Sequence, residues 1–136
     1  QRAYEEALQR QGIPVNEAYI PMGDWTPESG YHAMRQLLAL KDRPTAVFAC
    51  NDLMAVGAME AIRQHGLSIP RDIAVVGFDD IPPASWLSPQ LTTVAQYPHQ
   101  MGSLLAQSLF NRFNGDYRGP GRRFEVPCRL IVREST

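Results

Sequence analysis

Residues Ile73 to Asp80, Ile-Ala-Val-Val-Gly-Phe-Asp-Asp, constrain the fold more than any other stretch of the chain. The run is apolar, broken only by Gly77, until it reaches two carboxylates, so it cannot alternate between core and solvent. It predicts a strand covered on both faces, as in a parallel sheet flanked by helices. Side chains just past the carboxyl end of such a strand face the crevice where open α/β sheets bind ligands. Asp79 and Asp80 are therefore the first candidates for a functional site.

A second strand of the same kind is predicted over Thr45 to Cys50, followed at once by the capping candidates Asn51 and Asp52. The helix over 52–65 starts with Leu53, Met54, Ala55, Val56, Ala58 and Met59, and turns polar only at Glu60, Arg63 and Gln64. A helix apolar around most of its circumference needs burial on two sides. One side faces its own sheet; the other, centred on Val56, is expected to meet a second protein chain. Gly66 ends the helix, with Leu67 placed for the hydrophobic contact that accompanies such caps.

The remaining elements follow from the same signals. Ala3, Tyr4, Ala7 and Leu8 mark a first helix stopped by Gly12, Ile13 and Pro14, and Ala18 to Met22 is expected to be a peripheral strand. Thr26, Pro27 and Glu28 supply an N-cap, an N1 proline and a first-turn acid for a helix running to about Leu40, with Tyr31, Met34, Leu37 and Leu38 inward. Ile81 to Pro89 is a loop with a short helical turn. Leu91 to Ala95 is a strand, and Pro98 to Asn114 is a helix with Met101, Leu105, Leu109 and Phe113 on its apolar face. Phe124 to Arg133, interrupted by Pro127, predicts an edge strand. This order predicts an α/β three-layer sandwich (α/β/α) with a mostly parallel sheet.

A net charge of −1 over 136 residues argues against a broad nucleic-acid-gripping surface, and no run is long enough to span a bilayer. Cys50 and Cys128 lie in or beside apolar runs and are expected to be buried free thiols. His32, His65 and His99 fall on helices without ligand spacing, and Arg118, Arg122 and Arg123 form a solvated loop. The glycine patterns of a nucleophile elbow, a P-loop and a dinucleotide fold do not occur. Adjacent carboxylates such as Asp79 and Asp80 usually point apart, which speaks against a divalent-metal site. The expectation is a protein that is not an enzyme and uses neither metal nor cofactor.

Parallel strands would bring Trp25, Asn51, Asp79 and Gln96 to one edge of the sheet. A flat indole with amides and a carboxylate suits a sugar or a similar polar ring, pairing an apolar platform with groups that bind vicinal hydroxyls. Each has a plainer role as well: Trp25 as a lid on the core, Asn51 as an N-cap, Asp79 as an acceptor in its own turn. Asp80 is read as a turn residue.

Several spaced motifs carry a resemblance: R-P-T-A-V-F-A-C-N-D-L-M-A-V-G-A-M from Arg43, I-P-R-D-I-A-V-V-G-F-D-D-I-P from Ile69, G-D-W-T-P-E-S-G-Y from Gly23, L-T-T-V from Leu91 and P-C-R-L-I-V-R-E-S-T from Pro127. Together they resemble the effector-binding core of LacI/GalR-type transcription regulators over essentially the whole chain. The resemblance implies one lobe of a periplasmic-binding-protein-like fold that senses a small effector, a sugar or sugar-like molecule, and forms a homodimer in the cytoplasm. DNA would be met only through an N-terminal domain absent from this chain. It places effector contacts on Trp25, Asn51, Asp79 and Gln96, and a dimer face on Val56 and Met59 with Trp86 and Leu87 nearby. It further implies that 1–96 and 119–136 belong to the C-terminal lobe, while 97–118 packs on the missing one, so the 98–114 helix lacks its partner here. The alternative of the same fold is a periplasmic-type sugar-binding receptor of a transport system.

Overall fold

The computed structural model describes residues 1–136. Its sheet has the order β1 (Ala46–Phe48), β2 (Ala74–Asp79), β3 (Thr92–Ala95) and β4 (Arg129–Ile131). The first three strands are parallel, with Val47 opposite Val75 and Gly77 opposite Thr93, while β4 returns antiparallel to β3 along the far edge. The α/β class and the mostly parallel sheet are as the residue pattern predicts.

Two helices, α2 (Pro27–Leu38) and α3 (Asp52–Gln64), cover one face of this sheet. Thr26 begins α2, its hydroxyl accepting from Ser29 N, and Asn51 begins α3 by accepting from Met54 N at 2.8 Å. At the far end of α3, Gly66 takes the left-handed conformation (φ 76°) and Leu67 N donates to the Ile62 carbonyl, with Leu67 packed on the core. Two glycines bring the helices close: a Cβ on Gly30 would overlap the Met54 backbone, and one on Gly57 would overlap the Pro27 carbonyl. The core that results joins Met34, Leu37 and Leu38 of α2, Ala55, Ala58 and Ile62 of α3, Val75 of β2, and Ile73 and Leu91 just before β2 and β3. Truncating one of its larger side chains to alanine would cost about 2–5 kcal/mol.

The opposite face of the sheet is much more open. Side chains alternate along a strand, so Phe48, Val76, Val94 and Leu130 share that face; Phe48 is 53% exposed, and Leu130 is open to a similar degree. Helices α1 (Arg2–Arg10) and α4 (Pro98–Phe113) bury no residue between them. The apolar stripe of α4 is accordingly at the surface, with Phe113 73% exposed and Leu105 and Leu109 also exposed.

Three local expectations are corrected. Ala18 to Met22 is not a strand; a 3-10 turn spans Glu17–Tyr19, its start capped by Asn16, and Pro21 offers no N–H for a ladder. Cys50 and Cys128 are free thiols but exposed, because one follows an edge strand and the other precedes the opposite edge strand. The Phe124 to Arg133 strand shrinks to the three residues of β4, with Val132 and Arg133 leaving the ladder.

Candidate functional site at the strand ends

Because β1, β2 and β3 run parallel, Asn51, Asp79 and Gln96 leave their carboxyl ends on one edge of the sheet. The four candidates arrive there as two hydrogen-bonded pairs. The Asn51 side-chain amide donates to the Trp25 carbonyl at 3.0 Å, and the Gln96 amide donates to the Asp79 carboxylate. Asn51 is 8% exposed and uses its oxygen to cap α3, so it serves as a cap and a clamp on the Trp25 loop at once.

That clamp presents the indole. Trp25 is 62% exposed and adopts a positive φ of 72°, in a loop held from below by Asp24. The Asp24 carboxylate accepts from the Thr26 hydroxyl at 2.5 Å and from Thr26 N. These bonds, with Ser29 contributing, hold its pKa below the ordinary carboxylate value. A side chain of this size with φ above zero is disfavoured on its own and persists only where neighbours fix it.

Asp79 (φ 119°) and Asp80 (φ 57°) also have positive φ, which turns the chain sharply at the end of β2 and sends the two carboxylates apart. Asp79 goes to Gln96. Asp80 pairs with Arg133, Oδ1 to Nη2 at 2.6 Å, and both side chains are mostly buried. Arg133 also donates to the Leu91 carbonyl at 2.7 Å, so Asp80 is more than a turn residue: it receives the tail of the chain.

The residue that the pattern did not single out is Asp52. Read as a capping candidate, it is fully buried beneath β2. Its carboxylate accepts from the Thr93 hydroxyl at 2.5 Å and from Ile81 N at 2.9 Å, and neither partner is cationic. Burial pushes its pKa up, and the nearby Asp79 and Asp80 add to the rise, against the two hydrogen bonds that oppose it. The one sequence signal was Gly77 interrupting an apolar strand, since a Cβ there would overlap Asp52 Oδ1.

Of the residues expected at a dimer face, Val56 is half-buried, Leu87 is half-buried against the core and Trp86 is 77% exposed. Met59 is 7% exposed and belongs to the core cluster, so within a single copy it packs inward at the border of the stripe that holds Val56. The open stripe of α3 consists of Leu53 and Val56, continued by the Glu60–Arg63 ion pair. The face of α4 formed by Pro98, His99, Gly102, Ser103 and Ala106 is a shallow, open surface that includes none of the strand-end residues. No helix is long and apolar enough to cross a membrane.

The strand-end edge thus offers an exposed aromatic face, a carboxylate with free lone pairs and an amide with a spare N–H and carbonyl. Such a set binds hydroxyl-bearing rings by stacking and paired hydrogen bonds. A family model for the periplasmic binding protein-like domain matches residues 1–136. The chain is 42% identical over 135 residues to the HTH-type transcriptional repressor CytR of Escherichia coli strain K12, covering 99% of this chain and 39% of the relative. It is 41% identical over 134 residues to the HTH-type transcriptional repressor PurR of Yersinia pestis strain Pestoides F, covering 98% and 39%. The structure of the transcriptional regulator CelR in complex with cellobiose superposes with a TM-score of 0.92 at 39% identity, over 98% of this chain and 40% of that one. The chain therefore spans about two-fifths of the length of the relatives it matches.

Proposed function

Since the chain belongs to the periplasmic binding protein-like domain family, in the company of LacI-type regulators, we propose that it is the effector-sensing and dimerisation lobe of a LacI/GalR-type transcriptional repressor. The observation that carries this reading is the convergence of Trp25, Asn51, Asp79 and Gln96, as two bonded pairs, at one edge of three parallel strands. A small polyhydroxylated effector, a sugar or a sugar-like metabolite, would stack on Trp25 and exchange hydroxyl hydrogen bonds with Asp79 and Gln96. Asn51 would contribute mainly by holding the Trp25 loop, since its oxygen is committed to α3.

In this reading 1–96 and 119–136 form the C-terminal lobe, and 97–118, with the exposed stripe of α4, packs on the lobe that completes the cleft. Effector binding that favours the closed arrangement of the lobes would change DNA affinity by linkage. A homodimer would form through Leu53 and Val56 of α3, with Trp86 beside them. DNA contact would come through a separate domain, in the cytoplasm, with no catalysis. The names of the relatives support a repressor over a transport receptor.

The test is titration calorimetry of the full-length protein against cellobiose, glucose, ribose and adenosine, with sedimentation to report its oligomeric state. At least one compound should bind, and Asp79→Ala should abolish its binding while leaving the dimer intact. Unchanged affinity in Asp79→Ala would remove the strand-end edge as the site.

A further inference from the structure

We propose that Asp52 is a positioning residue for this edge: its buried carboxylate, held between Thr93 and Ile81 N, locks the Asp79–Asp80 turn in the conformation that aims Asp79 at Gln96. The proposal rests on reading the strand-end edge as the ligand site.

The turn needs holding. Asp79 and Asp80 are consecutive non-glycine residues with positive φ, a conformation that persists only where the surroundings enforce it. Three attachments are available to do so. Asp80 pairs with Arg133, Asp80 N lies 3.4 Å from Thr93 Oγ1, and Ile81 N donates to Asp52. Asp52 grips the turn and the neighbouring strand with one carboxylate, because Oδ2 takes Ile81 N while Oδ1 takes the hydroxyl of Thr93, the same side chain that lies against Asp80 N.

The chemistry favours a carboxylate. Both partners are donors, and a carboxylate can accept from each with a different oxygen. An asparagine in the same space could accept from Ile81 N only while its NH2 group turned the Thr93 hydroxyl from donor to acceptor, losing the charge-assisted bond, and a leucine would leave both unsatisfied. Space for the acid is built into β2, where Gly77 lets the carboxylate approach the strand. Three acidic groups meet at this point, Asp52, Asp79 and Asp80, and the one cation among them, Arg133, is committed to Asp80. A site whose only demand was filled volume would not carry that electrostatic cost.

Thr93→Val removes the hydroxyl while keeping a β-branched side chain in β3, and Thr93→Ser restores it. In the full-length, ligand-free protein, Thr93→Val and Asp52→Asn should each speed amide exchange at Asp80 and Ile81 by roughly ten- to a hundredfold, the factor that one lost hydrogen bond to a charged acceptor carries. Exchange at Val75 and Ile62 in the core should stay slow. Affinity for whichever of cellobiose, glucose, ribose and adenosine binds should fall by about tenfold in both variants, and Thr93→Ser should return both readouts to wild type. Unchanged protection at Ile81, or protection lost equally at Val75 and Ile62, would overturn the positioning role. If none of the four compounds binds the wild type, the reading of the edge as a sugar site fails, while the exchange rates still decide whether Asp52 holds the turn.

Discussion

Arg133, three residues from the end of the chain, donates to Asp80 at the tip of the central strand across 2.6 Å, and so ties the carboxyl-terminal tail to the edge that carries the candidate site. The bond is mostly shielded from water, unlike the Arg123–Glu125 pair, whose side chains are largely exposed. Removing one partner of a shielded pair strands the other charge. Arg133→Met is therefore expected to lower stability by about 1–3 kcal/mol in urea denaturation, a range reduced for the residual exposure of the pair. Arg123→Met should change it by less than about 0.5 kcal/mol.

The two roles of Asn51 can be separated. Asn51→Asp keeps an acceptor for Met54 N but loses the donor to the Trp25 carbonyl; Asn51→Ala loses both. In a Trp86→Phe background, so that Trp25 alone reports, both variants should show lower fluorescence anisotropy as the loop loosens. Only Asn51→Ala should also lose the cap, worth about 1 kcal/mol. Equal stability of the two variants would show that the cap contributes nothing.

Asp52 predicts a pH dependence. Its folded pKa is raised above the ordinary value of 3.8, so its favourable contribution is complete below 3.8 and is lost as pH rises through the folded value. The stability of the wild type relative to Asp52→Asn should therefore decline as pH rises above 3.8 and level off once the folded form has ionised. Urea titrations at stepped pH read this slope directly, and a difference independent of pH would contradict it.

Two helical glycines should respond in opposite senses. In Gly57→Ala the new methyl group meets the Pro27 carbonyl, so α2 must move away from α3, at about 1–3 kcal/mol. Gly102 lies on α4 with nothing near a built Cβ, and Gly102→Ala should gain up to about 1 kcal/mol from helix propensity. Thermal unfolding of both variants checks the contrast.

The elements legible in the residues were those whose signal is local. The apolar run into Asp79, the Thr26-Pro27 start of α2, and Gly66 with Leu67 at the end of α3 each carry their own boundary, and the structure has them where they were read. What escaped depended on distant neighbours. Ala18 to Met22 has strand-like residues but no strand to pair with, and the exposure of Cys50 follows from β1 lying at an edge, which strand order decides. Asn51, Asp79 and Gln96 were legible as a set because parallel strands deliver their ends together; Trp25 joins them without a strand of its own, through the loop before α2 that Asn51 holds. The pairing was not legible, since which amide meets which oxygen depends on loop geometry. Asp52 was missed because a first-turn acid next to an N-cap is ordinary, and only the fold shows Thr93 and Ile81 N converging on it.

Trp25, Asp79, Asp80 and Tyr97 are the only non-glycine residues with positive φ in the chain, and all four lie on the loops around the strand ends. Transplanting Trp25, Asp79 and Gln96 onto another parallel sheet would carry over the side chains without their aim, because the aim resides in backbone angles that L-residues adopt only under constraint. A successful graft would have to take along Asn51, Asp52, Thr93 and Arg133, whose hydrogen bonds hold the loops and turns in place. The smallest portable unit of this recognition edge is thus the set of braces together with the side chains they point.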